Sequence, residues 1–222
     1  LFTKTSGGYI KTIYRLGLPA AIQNLLYTSI SMVLTRFVAG FGDAAVAVQR
    51  VGGQIESISW MTADGFAAAI NSFVGQNYGG KKYKRVKKGY LTSVGVMFVW
   101  GLLCTALLVF LPGPIFRIFI REPEIIPAGI DYLRIIGYSE MFMCIELTTV
   151  GALSGLGKTF LSSIISITLT SARIPLALLL SATALGLTGI WWALTISSVM
   201  KGIVFFLCCL WIMEKLTKGE TS

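Results

Sequence analysis

The chain has 222 residues, of which 55% are hydrophobic and 13% are charged, and its mean hydropathy is +0.75. A soluble domain of this length does not bury so much apolar surface, so the composition excludes an ordinary soluble protein and indicates an integral membrane protein. The net charge of +9 would suit nucleic-acid binding in a soluble protein. Twelve of the 19 basic residues, however, lie in loops and tails that successive spans would place on one face of the membrane, so no nucleic-acid partner is expected.

Six long apolar blocks follow one another, and each can cross a membrane as a helix. The predicted spans are 16–41, 44–78, 90–111, 128–151, 160–182 and 185–213. They predict an all-α, polytopic membrane protein in which residues 1–222 form a single domain, a bundle of six transmembrane helices. The second block must project from the membrane or bend, near Gly52, Gly53 or Gly65. Pro175 should kink the fifth.

Basic residues between the blocks predict the orientation of the chain. They gather on one side of the predicted bundle: Lys4, Lys11, Arg15, Lys81, Lys82, Lys84, Arg85, Lys87, Lys88, Lys158, Lys215 and Lys218. On the opposite side, Arg117 and Arg121 are balanced by two glutamates. The positive-inside rule therefore predicts a multi-pass protein of the cell membrane with both termini in the cytoplasm. The sequence opens on Leu1 rather than on Met, which leaves two alternatives: a piece of a longer chain or a natural half-transporter.

Ionisable side chains recur inside the predicted spans, where each costs roughly 3 kcal/mol on insertion scales. In the second span, polar residues with a seven-residue spacing define one face that should turn toward the bundle interior: Gln49, Arg50, Glu56, Ser57, Asp64 and Asn71. The carboxylates that we assign to cation coupling or substrate binding are Glu56, Asp64, Glu140 and Glu146. Arg173 and Lys201 are their expected counter-charges. The alternative is that these acids and bases pair only to fix helix packing.

Other side-chain chemistry is sparse. The chain has no histidine, and its four cysteines lie within apolar spans, so neither a metal site nor a disulfide framework is expected. Ala152–Thr159 lacks the first glycine of a nucleotide-binding loop and joins two spans, so nucleotide binding and enzymatic catalysis are not expected. Trp191 and Trp192, near the outer end of the sixth span, are expected to anchor it at the membrane interface.

Three motifs carry a family resemblance. Gly17–Ala21 reads GLPAA, Asp64–Gly79 reads DGFAAAINSFVGQNYG before the basic segment, and Gly151–Thr159 reads GALSGLGKT. In this order they resemble the second repeat of the multidrug and toxic compound extrusion (MATE) transporters. The resemblance covers essentially the whole chain, and it implies the C-terminal six-helix lobe of a two-lobe transporter with a central cavity.

The resemblance also implies an activity. It points to an antiporter that exports organic cations or other amphipathic compounds by alternating access, with H⁺ or Na⁺ as the coupling ion and no other cofactor. The polar residues expected in its cavity are Gln23, Asn24, Tyr27, Gln49 and Asn71.

The chain departs from the family at two acidic positions. Tyr27 stands where some members have an acid in the first helix of this lobe, and Met143 stands where others have one in the fourth. Glu140 and Glu146 lie about one helical turn on either side of Met143, so a carboxylate can still reach the same cavity. We therefore expect a distinct acidic network rather than a sodium site of the known geometry.

Two other functions remain open. A flippase for lipid-linked saccharides, from the same superfamily, would need a broad basic cavity, and only Arg173 and Lys201 are available for it. A non-transporting membrane fragment or assembly subunit would use the charges only to pair. For the antiporter, the expected partners are the lipid bilayer, a small amphipathic substrate, and either an N-terminal lobe of the same protein or a second copy of the chain.

Overall fold

The computed structural model describes residues 7–120 and 122–218, and Lys4 and Arg121 of the predicted charge pattern lie outside them. Within this part of the chain the fold is all-α, and no strand is present. The helices are α1 (Gly7–Ala39), α2 (Asp43–Gly79), α3 (Tyr83–Phe110), α4 (Pro112–Phe119), α5 (Ile126–Gly155), α6 (Thr159–Ser171), α7 (Arg173–Ser181) and α8 (Leu187–Lys218).

Three helical segments are long and apolar enough, by length and composition alone, to cross a membrane: Tyr83–Phe110, Thr159–Ser181 and Leu187–Thr217. Helices α1, α2 and α5 are at least as long as α3 but carry many of the polar residues that the sequence analysis selected. The prediction of an all-α membrane protein is therefore confirmed, whereas the count of six transmembrane helices and the single-domain boundaries stay predictions.

The fifth apolar block is divided into α6 and α7, which meet at Ala172. Pro175 lies in the first turn of α7, where it has no N–H to donate to the carbonyl of Ser171, and its ring crowds that same carbonyl. The interruption therefore falls three residues before the proline that causes it. It leaves Arg173 at the start of α7.

The second block is an unbroken helix. Helix α2 runs through all three glycines at which a bend was predicted, and its 37 residues make it about 55 Å long. Since the hydrocarbon core is only about 30 Å thick, a helix of this length projects beyond it or lies tilted. Gly52 serves packing instead of bending, because the ring of Tyr132 occupies the space that a Cβ atom would need.

Helix α4 is a short element that the apolar blocks did not predict. Pro112 begins it, as suits a residue without an N–H at the first helical position. Its fully buried Phe116 packs against α5, where the absence of a side chain at Gly129 makes room for the ring.

Helix α5 is the centre of the bundle, and small residues bring its neighbours close. A Cβ atom on Gly101 of α3 would lie 2.7 Å from the Cα atom of Met141, and one on Gly202 of α8 would lie 2.6 Å from the carbonyl oxygen of Phe142. On α5 itself, a Cβ atom on Gly151 would collide with the carbonyl of Ala67 on α2. In a membrane no hydrophobic effect drives helices together. Close backbone approach of this kind instead provides the van der Waals contacts that stabilise their packing.

Candidate functional site

A cavity of about 780 Å³ lies between α1, α2, α5, the α6–α7 pair and α8. Ten of the eleven residues selected from the sequence line it: Gln23, Asn24, Tyr27, Gln49, Glu56, Asp64, Glu140, Glu146, Arg173 and Lys201. Helices α3 and α4 contribute no lining residue. The polar face predicted on α2 and the acids predicted on α5 therefore share one space.

Asn71 is the exception. It is exposed and lies outside the cavity lining, although it belongs to the same seven-residue series as Arg50 and Asp64. Ser57 of the same series is also outside the lining, although Arg50 and Asp64 on either side of it belong to the lining, so the seven-residue spacing alone does not decide which residues reach the cavity. Asn71 also lies where α2 approaches the end of α5, since its carbonyl oxygen would be 2.5 Å from a Cβ atom on Gly155.

Lys201 of α8 forms a buried ion pair with Glu146 of α5. Its Nζ atom donates a hydrogen bond to Oε1 of Glu146 at 2.8 Å, and the two side chains are 7% and 8% exposed. The pairing across helices satisfies two charges that would otherwise be costly to bury. Lys201 is therefore a counter-charge, as expected, and its partner is Glu146.

Arg173 forms no ion pair with a carboxylate among the described residues. The side chain is 8% exposed. Its Nε atom donates to Oγ of Ser197 at 3.2 Å and its Nη2 atom to Oγ of Ser198 at 2.9 Å, both on α8. Arg173 is near enough to Glu56 to attract it electrostatically without touching it, so its role as a counter-charge stays a prediction.

Glu140 is the most deeply buried acid of the cavity, with 1% of its surface exposed. Within the described part of the chain neither of its carboxylate oxygens has a hydrogen-bond partner. An unpaired buried charge of this kind is far more costly than a paired one, so the arrangement favours a bound proton or cation at this group.

Glu56 is held by Tyr132. The Tyr132 hydroxyl donates a hydrogen bond to Oε1 of Glu56 at 2.6 Å. The tyrosine ring fits over Gly52 on one side, and Trp191 of α8 meets it edge to face with ring centroids 5.2 Å apart. One tyrosine thus joins α2, α5 and α8 and fixes the position of a cavity carboxylate.

Trp191 is 1% exposed, so the expectation that it anchors the helix at the membrane interface is wrong. Its neighbour Trp192 stacks on Tyr138, with ring centroids 6.1 Å apart and planes 14° from parallel. Counting residues from the span's end gave the depth of Trp191 but not the direction of its side chain, which the contact with α5 decides.

The remaining predicted residues form the open side of the cavity. Asp64 and Asn24 are exposed, Gln23 and Gln49 are half-buried, and Tyr27 is 52% exposed. Several lining residues were not selected from the sequence: Trp60, Tyr132, Ser139, Ser166, Thr170 and Ser198.

The seven-residue spacing that selected α2 residues would have found part of this set. On α5, Tyr132, Ser139 and Glu146 follow the same spacing and all three line the cavity. Among the residues that the structure describes, no group of three or more His, Cys, Asp or Glu side chains is arranged to hold a metal ion.

The chain that forms this cavity matches a known family of proteins. The family model MatE matches residues 19–179. This chain belongs to the MatE family. The assignment that rested on three short motifs is therefore confirmed over most of the chain, and with it a membrane-embedded location.

Two curated relatives of this MatE chain carry different names. It is 31% identical over 207 residues to the probable multidrug resistance protein NorM of Thermotoga maritima, covering 90% of this chain and 44% of that protein. It is 26% identical over 208 residues to a protein of Shewanella oneidensis named FAD transporter, covering 91% and 45%.

A solved structure agrees with the MatE fold. The crystal structure of MATE in the bent conformation superposes with a TM-score of 0.89 at 25% identity, covering 99% of this chain and 49% of that one. The chain thus spans about half the length of the relatives and structures that it matches.

Proposed function

We propose that this chain is one lobe of a secondary transporter that exports organic cations or other amphipathic compounds in exchange for H⁺ or Na⁺. Binding of the coupling ion to the cavity acids shifts the balance between inward-facing and outward-facing states, and the substrate competes for the same negative charge. The proposal includes cytoplasmic termini and a cavity completed by a second lobe or a second copy of the chain. It includes no catalytic step.

The observation that carries the proposal is the state of Glu140. Its carboxylate is almost fully buried, lines the cavity and has no partner within the described residues. A pairing role would require a base on this group, as Lys201 provides for Glu146. The free carboxylate instead supports a site for an exchangeable proton or sodium ion.

The charges of the lining favour a cationic cargo over the lipid-linked saccharide of a flippase. Four carboxylates face three bases, and Lys201 is already paired. A phosphate-bearing saccharide would meet more acids than free bases. The acidic surplus supports the antiporter.

The test uses the natural polypeptide that carries this chain, reconstituted in vesicles. An imposed H⁺ or Na⁺ gradient should drive movement of ethidium, and Glu140→Gln should abolish that movement. Glu214→Gln is the matched control, because Glu214 is exposed on α8 and does not line the cavity.

Each outcome decides between the alternatives. Gradient-driven transport that survives Glu140→Gln unchanged would remove the residue from coupling. A wild-type protein that moves no cation under either gradient would leave the non-transporting fragment as the function. Movement of a lipid-linked saccharide in place of ethidium would establish the flippase.

A further inference from the structure

The basic segment of residues 81–88 divides between the two neighbours of α3. The guanidinium carbon of Arg85 lies 5.9 Å from the centroid of the Phe73 ring on α2. Lys84, Lys87 and Lys88 instead line a groove between the first turns of α3 and the last turns of α8. The positive-inside rule accounts for the total charge of this segment, but it does not require three of its lysines to share one groove.

This α3–α8 groove is separate from the central cavity. Its volume is about 440 Å³, and none of its six lining residues lines the cavity: Lys84, Lys87, Lys88, Leu91, Thr92 and Thr217. Thr217 belongs to α8, and the other five belong to α3. Sites for small molecules have volumes of about 300–1,000 Å³, so the groove has room for a phosphate headgroup.

No acidic side chain among the described residues neutralises the three lysines. The one ion pair in the described part of the chain joins Lys201 to Glu146. Glu214 of α8 lies about one turn before Thr217, but it is exposed and does not line the groove. Three ammonium groups in one groove repel one another, and each can donate hydrogen bonds but cannot accept them. The groove therefore favours an anion with several acceptor oxygens, such as a phosphate.

An apolar strip continues from the groove along the same face of α3. Its side chains are exposed and, at 3.6 residues per turn, share the face of Lys84 and Lys88: Leu91, Phe98, Val99 and Leu102. Gly95 lies among them, and no described atom is within 4 Å of the position of an added Cβ, so nothing covers the strip there. The strip extends for about 16 Å, which is about half the thickness of the hydrocarbon core and matches one leaflet.

We propose that the α3–α8 groove binds the phosphate of an anionic phospholipid from the leaflet on its side of the membrane, with an acyl chain along the apolar strip. A phospholipid has both chemistries that this surface matches, an anion for the groove and a hydrocarbon chain for the strip. A soluble anion would leave the strip without a partner. The inference goes beyond the proposed transport and does not depend on it, because it requires only that the chain lies in a membrane.

The experiment uses the natural polypeptide that carries this chain, purified in a neutral detergent. The probes are phosphatidylglycerol and phosphatidylcholine with the same acyl chains, which differ in net charge. Native mass spectrometry counts the lipids that stay bound and gives the dissociation constant for each. The test variant is Lys84→Gln/Lys88→Gln. The matched control is Lys81→Gln/Lys82→Gln, which removes the same charge from two exposed lysines of the same segment that do not line the groove.

We expect the wild type to bind phosphatidylglycerol about tenfold or more tightly than phosphatidylcholine, because lysines near a membrane surface attract anionic lipids. Lys84→Gln/Lys88→Gln should weaken phosphatidylglycerol binding by about tenfold or more and bind one lipid fewer, whereas the control should stay within about threefold of the wild type. Lys84→Arg/Lys88→Arg should bind as the wild type does, because arginine keeps the charge. Should the double Gln variant fail to accumulate, Lys84→Gln and Lys88→Gln replace it, each with an expected loss of about threefold or more.

Three outcomes would overturn the inference. The first is equal binding of the two lipids by the wild type. The second is an equal loss in the test and control variants, because the attraction would then come from the whole basic segment and not from the groove. The third is displacement of phosphatidylglycerol by inorganic phosphate, which would indicate a site for a soluble anion. The antiporter is tested separately by transport of ethidium, so neither proposal falls with the other.

Discussion

The Nζ atom of Lys201 lies 2.8 Å from Oε1 of Glu146, in the wall of a cavity where the neighbouring Glu140 has no partner within the described residues. Two glutamates of one helix, six positions apart, are therefore in opposite electrostatic situations. Glu146 has its counter-ion in Lys201, whereas Glu140 forms no ion pair with a described residue. The two residues should respond oppositely to the same substitution.

Breaking the ion pair should destabilise the protein. Glu146→Gln or Lys201→Met alone leaves one buried group without its partner, at a cost of about 3–5 kcal/mol. The double variant removes both charges and should recover most of the loss. The melting temperature in detergent checks this. Independent, additive effects of the two substitutions would show that the 2.8 Å contact contributes nothing to stability.

Glu140→Gln should leave the melting temperature unchanged or raise it. The side chain keeps its shape, no hydrogen bond to a described residue is lost, and a costly buried charge is removed. The melting temperature of this variant is compared with that of Glu146→Gln, which is the same substitution at another position of the same helix. A loss of stability at Glu140 equal to that at Glu146 would mean that Glu140 has a structural partner.

Gly151→Ala should weaken the contact between α2 and α5. Its new methyl group meets the carbonyl of Ala67, which is backbone and cannot rotate away, so overpacking should cost about 1–3 kcal/mol. Gly65→Ala is the control, because no atom lies within 4 Å of its added Cβ and alanine is the better helix former. Thermal unfolding should therefore shift down for Gly151→Ala and stay level or rise for Gly65→Ala; equal shifts contradict the close approach.

Trp191→Ala should be strongly destabilising, and Trp211→Ala should not. Trp191 is 1% exposed and packs on Tyr132, so its truncation leaves a cavity costing about 3–5 kcal/mol. Trp211 lies on the same helix with 63% of its surface exposed, and its loss should change stability by about 0.5 kcal/mol or less. The thermal unfolding of each variant, followed by intrinsic fluorescence or by calorimetry, checks both expectations. Similar losses of stability in the two variants would contradict the burial of Trp191 and favour its expected position at the membrane interface.

The sequence predicted which helices bear the polar groups of the cavity. A charged residue in an apolar span faces the bundle interior or a water-filled cavity, because exposure to lipid is costly. Glu56, Asp64, Glu140, Glu146 and Lys201 all line one cavity. The seven-residue spacing on α2 selected Arg50 and Asp64 correctly, but Ser57 and Asn71 of the same series do not line the cavity.

Partners between helices could not be predicted, because they depend on how each helix is rotated. The sequence did not predict that the side chain of Arg173 donates hydrogen bonds to two serines of α8. The tyrosine that holds Glu56 and the burial of Trp191 follow from the same rotations. The break at Ala172 was displaced from Pro175 because a proline disturbs the turn before it.

Glu140, which has no partner among the described residues, has a consequence for the driving force of the proposed exchange. A monovalent cation that leaves as one proton enters moves no net charge, so the pH difference alone powers its export. A neutral amphipathic compound that leaves in exchange for the same proton brings one elementary charge inward. The membrane potential then contributes about 2.3 kcal/mol per 100 mV. Under this exchange, the export of a cation would be insensitive to voltage, and the export of a neutral compound would be driven by it.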